Sequence, residues 1–235
     1  MSSKDNWKDK SYVLRSVSIK GVLLEYADDA LKKDKEIVRA AVENNGEAFL
    51  FADDSLKRDR EFILELANLD ARVLYHIDDS FTKDKEVILA AMKNSSVNGD
   101  FVDDSLRKDK DFILEAVKQT AYEFAPPAFE YADASLKRDK EFVLKIVQLD
   151  GISLEHVANS LKRDKDIVLE AVKQNGNALE YADASLKRDK DVVLEAIKQN
   201  INAIRYADDS LKQNKDFGLE VGKILYTNLL DSIFL

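Results

Sequence analysis

A unit of about 25 residues recurs along the chain, and this repetition limits the possible folds more than any other feature of the sequence. An Asp beside basic residues marks each copy, and consecutive markers are 25 residues apart except for one interval of 30 between Asp109 and Asp139. The markers are Asp9, Asp34, Asp59, Asp84, Asp109, Asp139, Asp164 and Asp189, with Asn214 in the same place. Such a period is typical of arrays in which each unit buries its apolar face by stacking on its neighbours.

The residues after each marker show the apolar periodicity of an amphipathic α-helix. After Asp189, apolar side chains occupy the third, fourth, seventh and eighth positions, which are Val192, Val193, Ala196 and Ile197. This spacing places them on one face of a helix. The marker Asp is expected to be the N-cap, because its carboxylate can accept hydrogen bonds from first-turn N–H groups. The sequence predicts one helix of about 11 residues per copy, ended by Asn-Gly pairs that are common C-terminal stops.

A second, shorter helix is expected between each long helix and the next marker. The segment from Asn177 to Ala182 has apolar residues three to four positions apart, and an Asp-Asp-Ser-Leu or Asp-Ala-Ser-Leu turn then leads to the marker. Helices this short are marginal alone, so each needs the adjoining copy to cover its apolar face. We expect an all-α fold, a right-handed α-solenoid of about eight two-helix repeats. It would form one repeat domain over residues 1–235, with residues 217–235 as a C-terminal cap.

Composition excludes several classes of protein. The chain is 45% hydrophobic and 34% charged, which is too apolar for a disordered chain, and no run approaches the roughly 18 apolar residues of a membrane span. A net charge of −9 disfavours binding to nucleic acid or anionic lipid. The first residues lack the apolar core of a secretory signal, and there is no cysteine for disulfides or thiolate metal sites. We expect a soluble, cytoplasmic protein that does not bind membranes.

The run from Asn175 to Ile197 carries the fullest form of the repeat, Asn-Gly-x-Ala-Leu-x-Tyr-Ala-x-x-Ser-Leu-Lys-x-Asp-Lys-x-Val-Val-Leu-x-Ala-Ile. It resembles the family called domain of unknown function 4116, whose members are similar to tandem arrays of this short helical unit. The resemblance extends from about Asp9 to about Leu219. It implies a helical repeat fold and brings no catalytic residue. The segment Asn94–Asp100 departs from the pattern, since it lacks the Ala-Leu-x-Tyr residues of the second helix.

The recurrent acids and the two histidines have structural explanations. Adjacent pairs such as Asp53–Asp54 lack the interleaved spacing of a calcium loop, so we expect them to cap solvated turns. His76 and His156 each replace an aromatic residue found elsewhere as Phe51 or Tyr181. Without cysteine or a second histidine nearby in sequence, they lack partners for a zinc site. We find no sequence pattern of a nucleophile with its base and no Gly-rich phosphate loop. We therefore expect no metal, no cofactor and no enzymatic activity.

Basic residues on both sides of each marker are predicted to line one edge of the array. Lys187, Arg188 and Lys190 flank Asp189, and corresponding residues flank the other markers. Such a regular row could bind phosphates or an acidic partner. The alternative is that neighbouring acids neutralise the row through weak ion pairs between repeats. No aromatic residues alternate with the basic ones, as stacking on single-stranded nucleic acid would require, so we expect no nucleic-acid binding.

The interruption of the period is the first candidate site for a partner. Five extra residues fall within Thr120–Pro127 and bring Tyr122 and Phe124 into a loop. Aromatic side chains are enriched at interaction hot spots, which makes these two residues candidates for binding a partner. The alternative is a neutral length variation packed back on the array.

The C-terminal segment is the second candidate site. It is unusually apolar for the end of an array, and Leu230 and Phe234 are its candidate contact residues. The segment either folds back as a cap over Phe217–Val221 or contacts another chain. Trp7 is expected to seal the opposite end of the array.

These patterns favour a noncatalytic scaffold that binds a protein or peptide through the surface of helical repeats. This is an argument from architecture, because repeat arrays present long surfaces to partners. The alternative is a structural subunit of a larger multiprotein assembly, which it would contact through the apolar C-terminal segment.

Overall fold

The structure, a computed structural model, describes residues 6–94, 101–120 and 128–234, with the side chains of residues 94 and 228–234 outside that description. It divides into two compact units, unit 1 over Met1–Arg107 and unit 2 over Lys108–Leu235. Within the described ranges all regular structure is helical, which confirms the all-α repeat fold; the handedness stays a prediction. The α-helices there are α1 (Lys10–Ile19), α2 (Lys35–Asn44), α3 (Arg60–Ala67), α4 (Lys85–Asn94), α5 (Asp104–Arg107), α6 (Lys110–Thr120), α7 (Lys140–Leu149), α8 (Lys165–Gln174), α9 (Lys190–Gln199), α10 (Asp209–Lys212) and α11 (Lys215–Phe234).

The second helix is found in each repeat where the structure describes that segment, but it is a 3₁₀ helix. In one copy α8 has 10 residues, the 3₁₀ helix Gly176–Tyr181 has 6, and the turn Leu186–Arg188 before the next marker has 3. A 3₁₀ helix rises about 2 Å per residue, so a short segment spans more of the repeat than it would as an α-helix. We call the series of longer 3₁₀ helices the 3₁₀ edge. It consists of Gly21–Tyr26, Gly46–Phe51 and Ala71–His76 in unit 1, and of Ala128–Tyr131, Gly151–His156, Gly176–Tyr181 and Ile201–Tyr206 in unit 2.

The markers cap the α-helices as predicted. The Asp34 carboxylate accepts hydrogen bonds from the backbone N–H of Glu36 at 3.0 Å and of Ile37 at 3.4 Å. Asn214 takes the same role in α11, where its side-chain oxygen accepts a bond from the N–H of Phe217 at 3.0 Å. Each cap satisfies first-turn N–H groups that have no partner within the helix.

The glycines of the Asn-Gly pairs act through close packing and not through a left-handed C-cap. No described residue, glycine included, has a positive φ, and Asn175 at the end of α8 is extended, with φ −146° and ψ 110°. A Cβ on Gly176 would lie 2.4 Å from the carbonyl oxygen of Ala196, and one on Gly151 would lie 2.3 Å from that of Ala171. The predicted helix stop is present, but glycine is needed for packing. Gly176, and Gly151 after Asp150, touch the backbone of the following α-helix, while a Cβ on Gly46 would meet the carboxylate of Asp70.

Two pairs of apolar positions connect each internal α-helix to its two neighbours. In α2 the third, fourth, seventh and eighth positions after the marker are all buried, namely Ile37, Val38, Ala41 and Val42. In the first helix, α1, only the fourth and eighth positions, Val13 and Val17, are buried. The third and seventh positions therefore pack toward the preceding repeat, and the fourth and eighth pack toward the following one.

Trp7 covers the beginning of unit 1, as predicted. Its ring centroid lies 5.3 Å from that of Tyr12 on α1 and 5.6 Å from that of Tyr26. Its carbonyl oxygen also accepts a hydrogen bond from the N–H of Asp28 at 3.0 Å. These contacts cover the side of α1 that internal helices turn toward the preceding repeat.

At the other end, α11 runs without a break from Lys215 to Phe234. The apolar C-terminal segment thus continues this helix and does not fold back over Phe217–Val221. The residues after Gly222 include no proline, and Leu, Lys and Ile sustain a helix at little cost. The helix contacts α9 in the same unit.

Candidate protein-binding surface

The four contact residues predicted from the sequence do not define a site in the structure. Tyr122 and Phe124 lie outside the described residues, as does the atypical segment 95–100. Leu230 and Phe234 belong to the backbone of α11, but their side chains lie outside the description. A binding surface has to be sought among the described side chains.

The predicted row of basic residues is paired with acids of the next repeat. Lys35 Nζ lies 2.5 Å from the carboxylate of Asp59 in unit 1, and Lys165 Nζ lies 2.8 Å from that of Asp189 in unit 2. The same pairing joins Lys10 to Asp34, Arg60 to Asp84, Lys110 to Asp139 and Lys140 to Asp164. Each of these pairs is partly exposed, so water screens the attraction and the pair contributes little to stability. The neutralising alternative is therefore the one observed, and these cations are engaged within the array.

A second basic position holds the 3₁₀ edge in place. Lys162 Nζ donates a hydrogen bond to the backbone carbonyl of Glu155 at 2.6 Å, and Lys57 Nζ donates to that of Leu50 at 2.9 Å. Lys137, Lys187 and Lys212 make the same bond to the residue seven positions earlier. Burial lowers the pKa of Lys162. These lysines satisfy carbonyl groups near the end of five of the described 3₁₀ helices, so their role is structural.

The paired acids cap turns, as predicted. Asp53 accepts hydrogen bonds from the hydroxyl of Ser55 at 2.6 Å and from its N–H at 3.0 Å, and these two bonds lower the pKa of Asp53. The second acid, Asp54, is 78% exposed and lies 3.3 Å from Lys57 Nζ. Among the described residues there is no group of three or more His, Cys, Asp or Glu side chains that could hold a metal ion.

Both histidines are half-buried at the aromatic position of the 3₁₀ edge, as predicted. The His156 side chain is 19% exposed, and burial lowers its pKa because the imidazolium is poorly solvated there. His76 Nε2 lies 3.1 Å from Glu47 Oε2 in the preceding 3₁₀ helix. Each imidazole thus fills the place of an aromatic ring.

The last residue of every described helix of the 3₁₀ edge is aromatic or histidine. These residues are Tyr26, Phe51, His76, Tyr131, His156, Tyr181 and Tyr206. Because the helices of the edge contact one another within each unit, the rings form a row. The residue just before each ring is exposed, and its chemistry differs between the two units.

In unit 1 this exposed position is apolar in two consecutive repeats. Leu50 is 51% exposed and Tyr75 is 54% exposed. Beside them Phe51 is half-buried, and the ring of Tyr75 meets that of Phe101 edge-to-face at a centroid distance of 4.5 Å. We call Leu50, Phe51, Tyr75 and Phe101 the apolar patch of unit 1. Neighbouring exposed apolar side chains of this kind mark interaction sites on soluble proteins.

In unit 2 the same position is charged in every repeat. Glu130, Glu155 and Glu180 occupy it, followed by Arg205 in the last copy. The Arg205 guanidinium lies 4.5 Å from the ring centroid of Tyr206. The 3₁₀ edge of unit 2 therefore has a charge at this position in every described repeat, whereas unit 1 has Glu25 in its first copy and apolar side chains in the next two.

The face formed by the α-helices carries a groove in the described part of each unit. In unit 1 a groove of about 460 Å³ lies between α1, α2 and α3, and Arg39 in its wall pairs with Glu65 at 3.0 Å. In unit 2 a groove of about 530 Å³ lies between α8, α9 and α11, with Lys198 paired to Glu195 at 3.0 Å. Both grooves are open and include such internally paired charges, so neither is as well suited to an apolar partner as the patch.

Sequence reasoning missed Leu50 and Tyr75, although a signal for them exists. Alignment of the repeats on their markers places Leu50 and Tyr75 opposite Glu130, Glu155 and Glu180. An apolar residue where other copies have a charge points to a local function. The two candidate sites predicted from the sequence lie where the repeat pattern is broken. Leu50 and Tyr75, in contrast, lie within regular copies of the repeat.

Comparisons with known proteins identify a family and nothing narrower. The family model described as a domain of unknown function, DUF4116, matches residues 9–57, 59–98, 100–137, 120–162, 139–187, 164–212 and 189–224. Neither the curated proteins nor the solved structures include a match to the chain. A search of the described helices finds none that is both long and apolar enough to cross a membrane.

Proposed function

The chain belongs to the DUF4116 family, and we propose that it is a noncatalytic scaffold that binds a protein or peptide at the apolar patch of unit 1. The exposure of Leu50 and Tyr75 on consecutive repeats carries the proposal. A cytoplasmic location is part of it, supported by the absence of cysteine from the sequence.

The patch has the composition of a binding hot spot. Tyr75 offers a large amphipathic ring at little cost in conformational entropy and meets the ring of Phe101 edge-to-face, while Leu50 is exposed at the same position of the preceding 3₁₀ helix. Aromatic anchors of this kind contribute more binding free energy than other residues at interfaces. The ligand expected is a segment with apolar or aromatic side chains.

The backbone under the patch is fixed before any partner binds. Lys57 Nζ binds the carbonyl of Leu50 at 2.9 Å, and Gly46 N–H donates to the carboxylate of Asp70 in the next repeat at 3.0 Å. A preorganised surface loses less entropy on binding than a mobile one. This rigidity favours a scaffold that binds a partner without rearranging.

Selection of phage-displayed random peptides on the whole chain tests the proposal. We expect enriched peptides with apolar anchors, and calorimetry with one synthetic peptide gives its affinity for each variant. The double variant Leu50→Lys/Tyr75→Lys should bind at least roughly tenfold more weakly, because two hot-spot side chains are lost.

The matched control is Leu219→Lys/Tyr226→Lys, which changes the same residue types at 59% and 63% exposure in α11. This control should bind the peptide as tightly as the natural chain does. Failure to select any peptide, or equal binding by the patch variant, would contradict the proposal.

A second candidate function is that of a structural subunit in a larger multiprotein assembly. It is favoured by α11, where Leu219, Leu225 and Tyr226 are 59%, 46% and 63% exposed. Purification from the native source inside a stable complex, and release from it by Leu219→Lys/Tyr226→Lys, would support this candidate.

A further inference from the structure

Asp79, near the apolar patch of unit 1, is an exposed acid that lacks the basic partner found in other copies of the repeat. In four other copies an Asp at this position lies 3.2 to 3.8 Å from a lysine or arginine three residues later. These pairs are Asp29 with Lys32, Asp54 with Lys57, Asp104 with Arg107 and Asp209 with Lys212. In the copy that contains Asp79 the basic residue is replaced by Thr82, and no described residue pairs with the Asp79 carboxylate.

The turn that begins with Asp79 lies next to the rings of the apolar patch. Asp79 is the first residue of the 3₁₀ helix Asp79–Lys83 and follows Tyr75 by four residues. The carbonyl of Thr82 in this turn accepts a hydrogen bond from the N–H of Asp103 at 3.4 Å. Asp103 is two residues after Phe101, whose ring meets that of Tyr75. The turn thus runs beside the segment that supplies one ring of the patch.

The preceding copy shows how close this acidic position comes to the residue before the ring. Lys57 Nζ lies 2.9 Å from the carbonyl oxygen of Leu50 and 3.3 Å from the carboxylate of Asp54. One ammonium group therefore bridges the patch residue and the acid four positions later. Asp79 has the same register in the next copy, but there the Thr82 hydroxyl donates to the Asp79 carbonyl at 2.7 Å and brings no positive charge.

An unneutralised carboxylate beside apolar surface favours a cation in the partner that covers that surface. Such a partner removes water from Asp79, and a charge that loses its water without gaining a counterion is costly. The neighbouring acids Asp54 and Asp104 are 78% and 88% exposed and add to the negative potential on this side of the patch. A neutral or acidic segment would leave this cost uncompensated, whereas a basic side chain would offset it.

We propose that the segment bound at the apolar patch of unit 1 is basic as well as apolar, with a lysine or arginine that pairs with the Asp79 carboxylate. Its apolar side chains contact Leu50, Tyr75 and Phe101, and its cation takes the place that Lys57 occupies in the preceding copy. Unit 2 lacks this combination, because its first three copies replace the acid by Ala134, Asn159 and Ala184. The inference rests on the proposed function and specifies the chemistry of its partner.

A double-mutant cycle between the whole chain and a phage-selected peptide tests the pairing. The selected peptides should contain more Lys and Arg than Asp and Glu beside their apolar anchors. Replacing the basic residue of one peptide by glutamine should weaken its binding to the natural chain roughly fivefold, but its binding to Asp79→Asn by less than about twofold. The matched control is Asp209→Asn, which changes an exposed acid at the same position in unit 2 and should respond as the natural chain does. Selected peptides without a basic residue, or an equal loss with Asp79→Asn, would overturn the proposal.

A second variant neutralises Asp79 from within the chain. Thr82→Lys supplies the basic residue that the other copies have, so its ammonium group should compete with the cation of the peptide and weaken binding roughly fivefold. Thr82→Gln is the neutral control and should change binding by less than about twofold. Both variants lose the same hydroxyl bond to the Asp79 carbonyl, so the difference between them reports the charge alone. Equal affinities of the two variants would contradict a cation at Asp79.

Failure of this inference is distinguishable from failure of the proposed function. If Leu50→Lys/Tyr75→Lys abolishes peptide binding while the cycle shows no coupling to Asp79, the patch binds its partner without this cation and only the present inference falls. If Leu50→Lys/Tyr75→Lys binds the peptide as tightly as the natural chain, or if no peptide is selected, both proposals fall.

Discussion

The 3₁₀ edges of the two units share a backbone and differ in the residues they expose. Both end each described 3₁₀ helix with a ring, and each unit has at least one lysine bonded to a backbone carbonyl of the edge, as Lys57 is in unit 1 and Lys162 in unit 2. Before the ring, unit 1 has Glu25 and then Leu50 and Tyr75, while unit 2 has Glu130, Glu155 and Glu180. The repeats share a backbone here, and the residue exposed before the ring changes from copy to copy.

The packing of the glycine at the start of a 3₁₀ helix also differs between copies of the repeat. In unit 2 a Cβ on Gly176 would lie 2.4 Å from a backbone carbonyl, whereas in unit 1 a Cβ on Gly46 would lie 2.4 Å from the carboxyl carbon of Asp70. A backbone atom is fixed by its own helix, but a carboxylate can rotate away. Gly176 is thus more tightly constrained than Gly46, whereas Gly21 of unit 1 resembles Gly176, since a Cβ there would lie 2.2 Å from the backbone carbonyl oxygen of Ala41.

The largest expected effect follows from this contrast. Gly176→Ala should lower the free energy of unfolding by about 3 kcal/mol, because the α-helix backbone must shift. Gly46→Ala should cost about 1 kcal/mol, mainly through the hydrogen bond between Gly46 N–H and Asp70. Urea titration of both variants checks the difference, and Gly218→Ala, which fills open space, is the control. Equal losses at the two sites would refute the packing explanation.

The N-caps are expected to stabilise the α-helices equally in both units. Asp34→Ala in unit 1 and Asp164→Ala in unit 2 should each cost about 1 kcal/mol through the lost N-cap. Asparagine at either position should cost less, since Asn214 already serves as a cap. Chemical denaturation of the four variants measures this. A cost confined to one unit would show that the caps are not equivalent.

The acidic turns should differ in their pKa values by a smaller amount. Bonds from the N–H and hydroxyl of Ser185, with Arg163 at 2.9 Å, lower the pKa of Asp183 to about 2. In unit 1 Lys33 lies 3.7 Å from Asp53. Arg163→Ala should therefore raise the pKa of Asp183 more than Lys33→Ala raises that of Asp53, as carboxyl NMR titration would show.

The sign of the pH effect follows from the direction of this shift. The pKa of Asp183 is lower in the folded chain than its ordinary value of 3.8. Its carboxylate therefore stabilises the fold at pH values above 3.8, and this contribution is lost as the pH falls toward about 2. Arg163→Ala should reduce the stability that is lost between pH 3.8 and about 2. An unchanged acid titration of Asp183 would rule out the arginine as a cause.

The smallest effect concerns His156 in unit 2, whose counterpart Phe51 in unit 1 does not titrate. Burial lowers the pKa of His156 below its ordinary value of 6.5, against the opposing influence of Glu155 and Glu130. A lowered histidine pKa means that stability falls as the pH drops below about 6.5. His156→Phe should remove this decline, measured by urea midpoints at several pH values. A slope that persists in the variant would assign it to other groups.

Much of the backbone structure of the repeat was predictable from the sequence, because it depends on interactions within one copy. The caps at Asp34 and Asn214 and the apolar helix face follow from hydrogen bonding and periodicity within one copy. The 3₁₀ winding and the reason for Gly176 were not predictable, since both depend on how closely the next repeat approaches. Leu50 and Tyr75 were missed for a related reason: exposure is a property of the stacked array and not of a single copy.

Hydrogen–deuterium exchange of the whole chain, with and without a selected peptide, tests the central claim most directly. Binding at the apolar patch of unit 1 predicts slower exchange in the 3₁₀ helices Gly46–Phe51 and Ala71–His76, with no change in Gly151–His156 and Gly176–Tyr181. Leu50→Lys/Tyr75→Lys should abolish that protection. Protection confined to the 3₁₀ edge of unit 2, or to α11, would contradict the account.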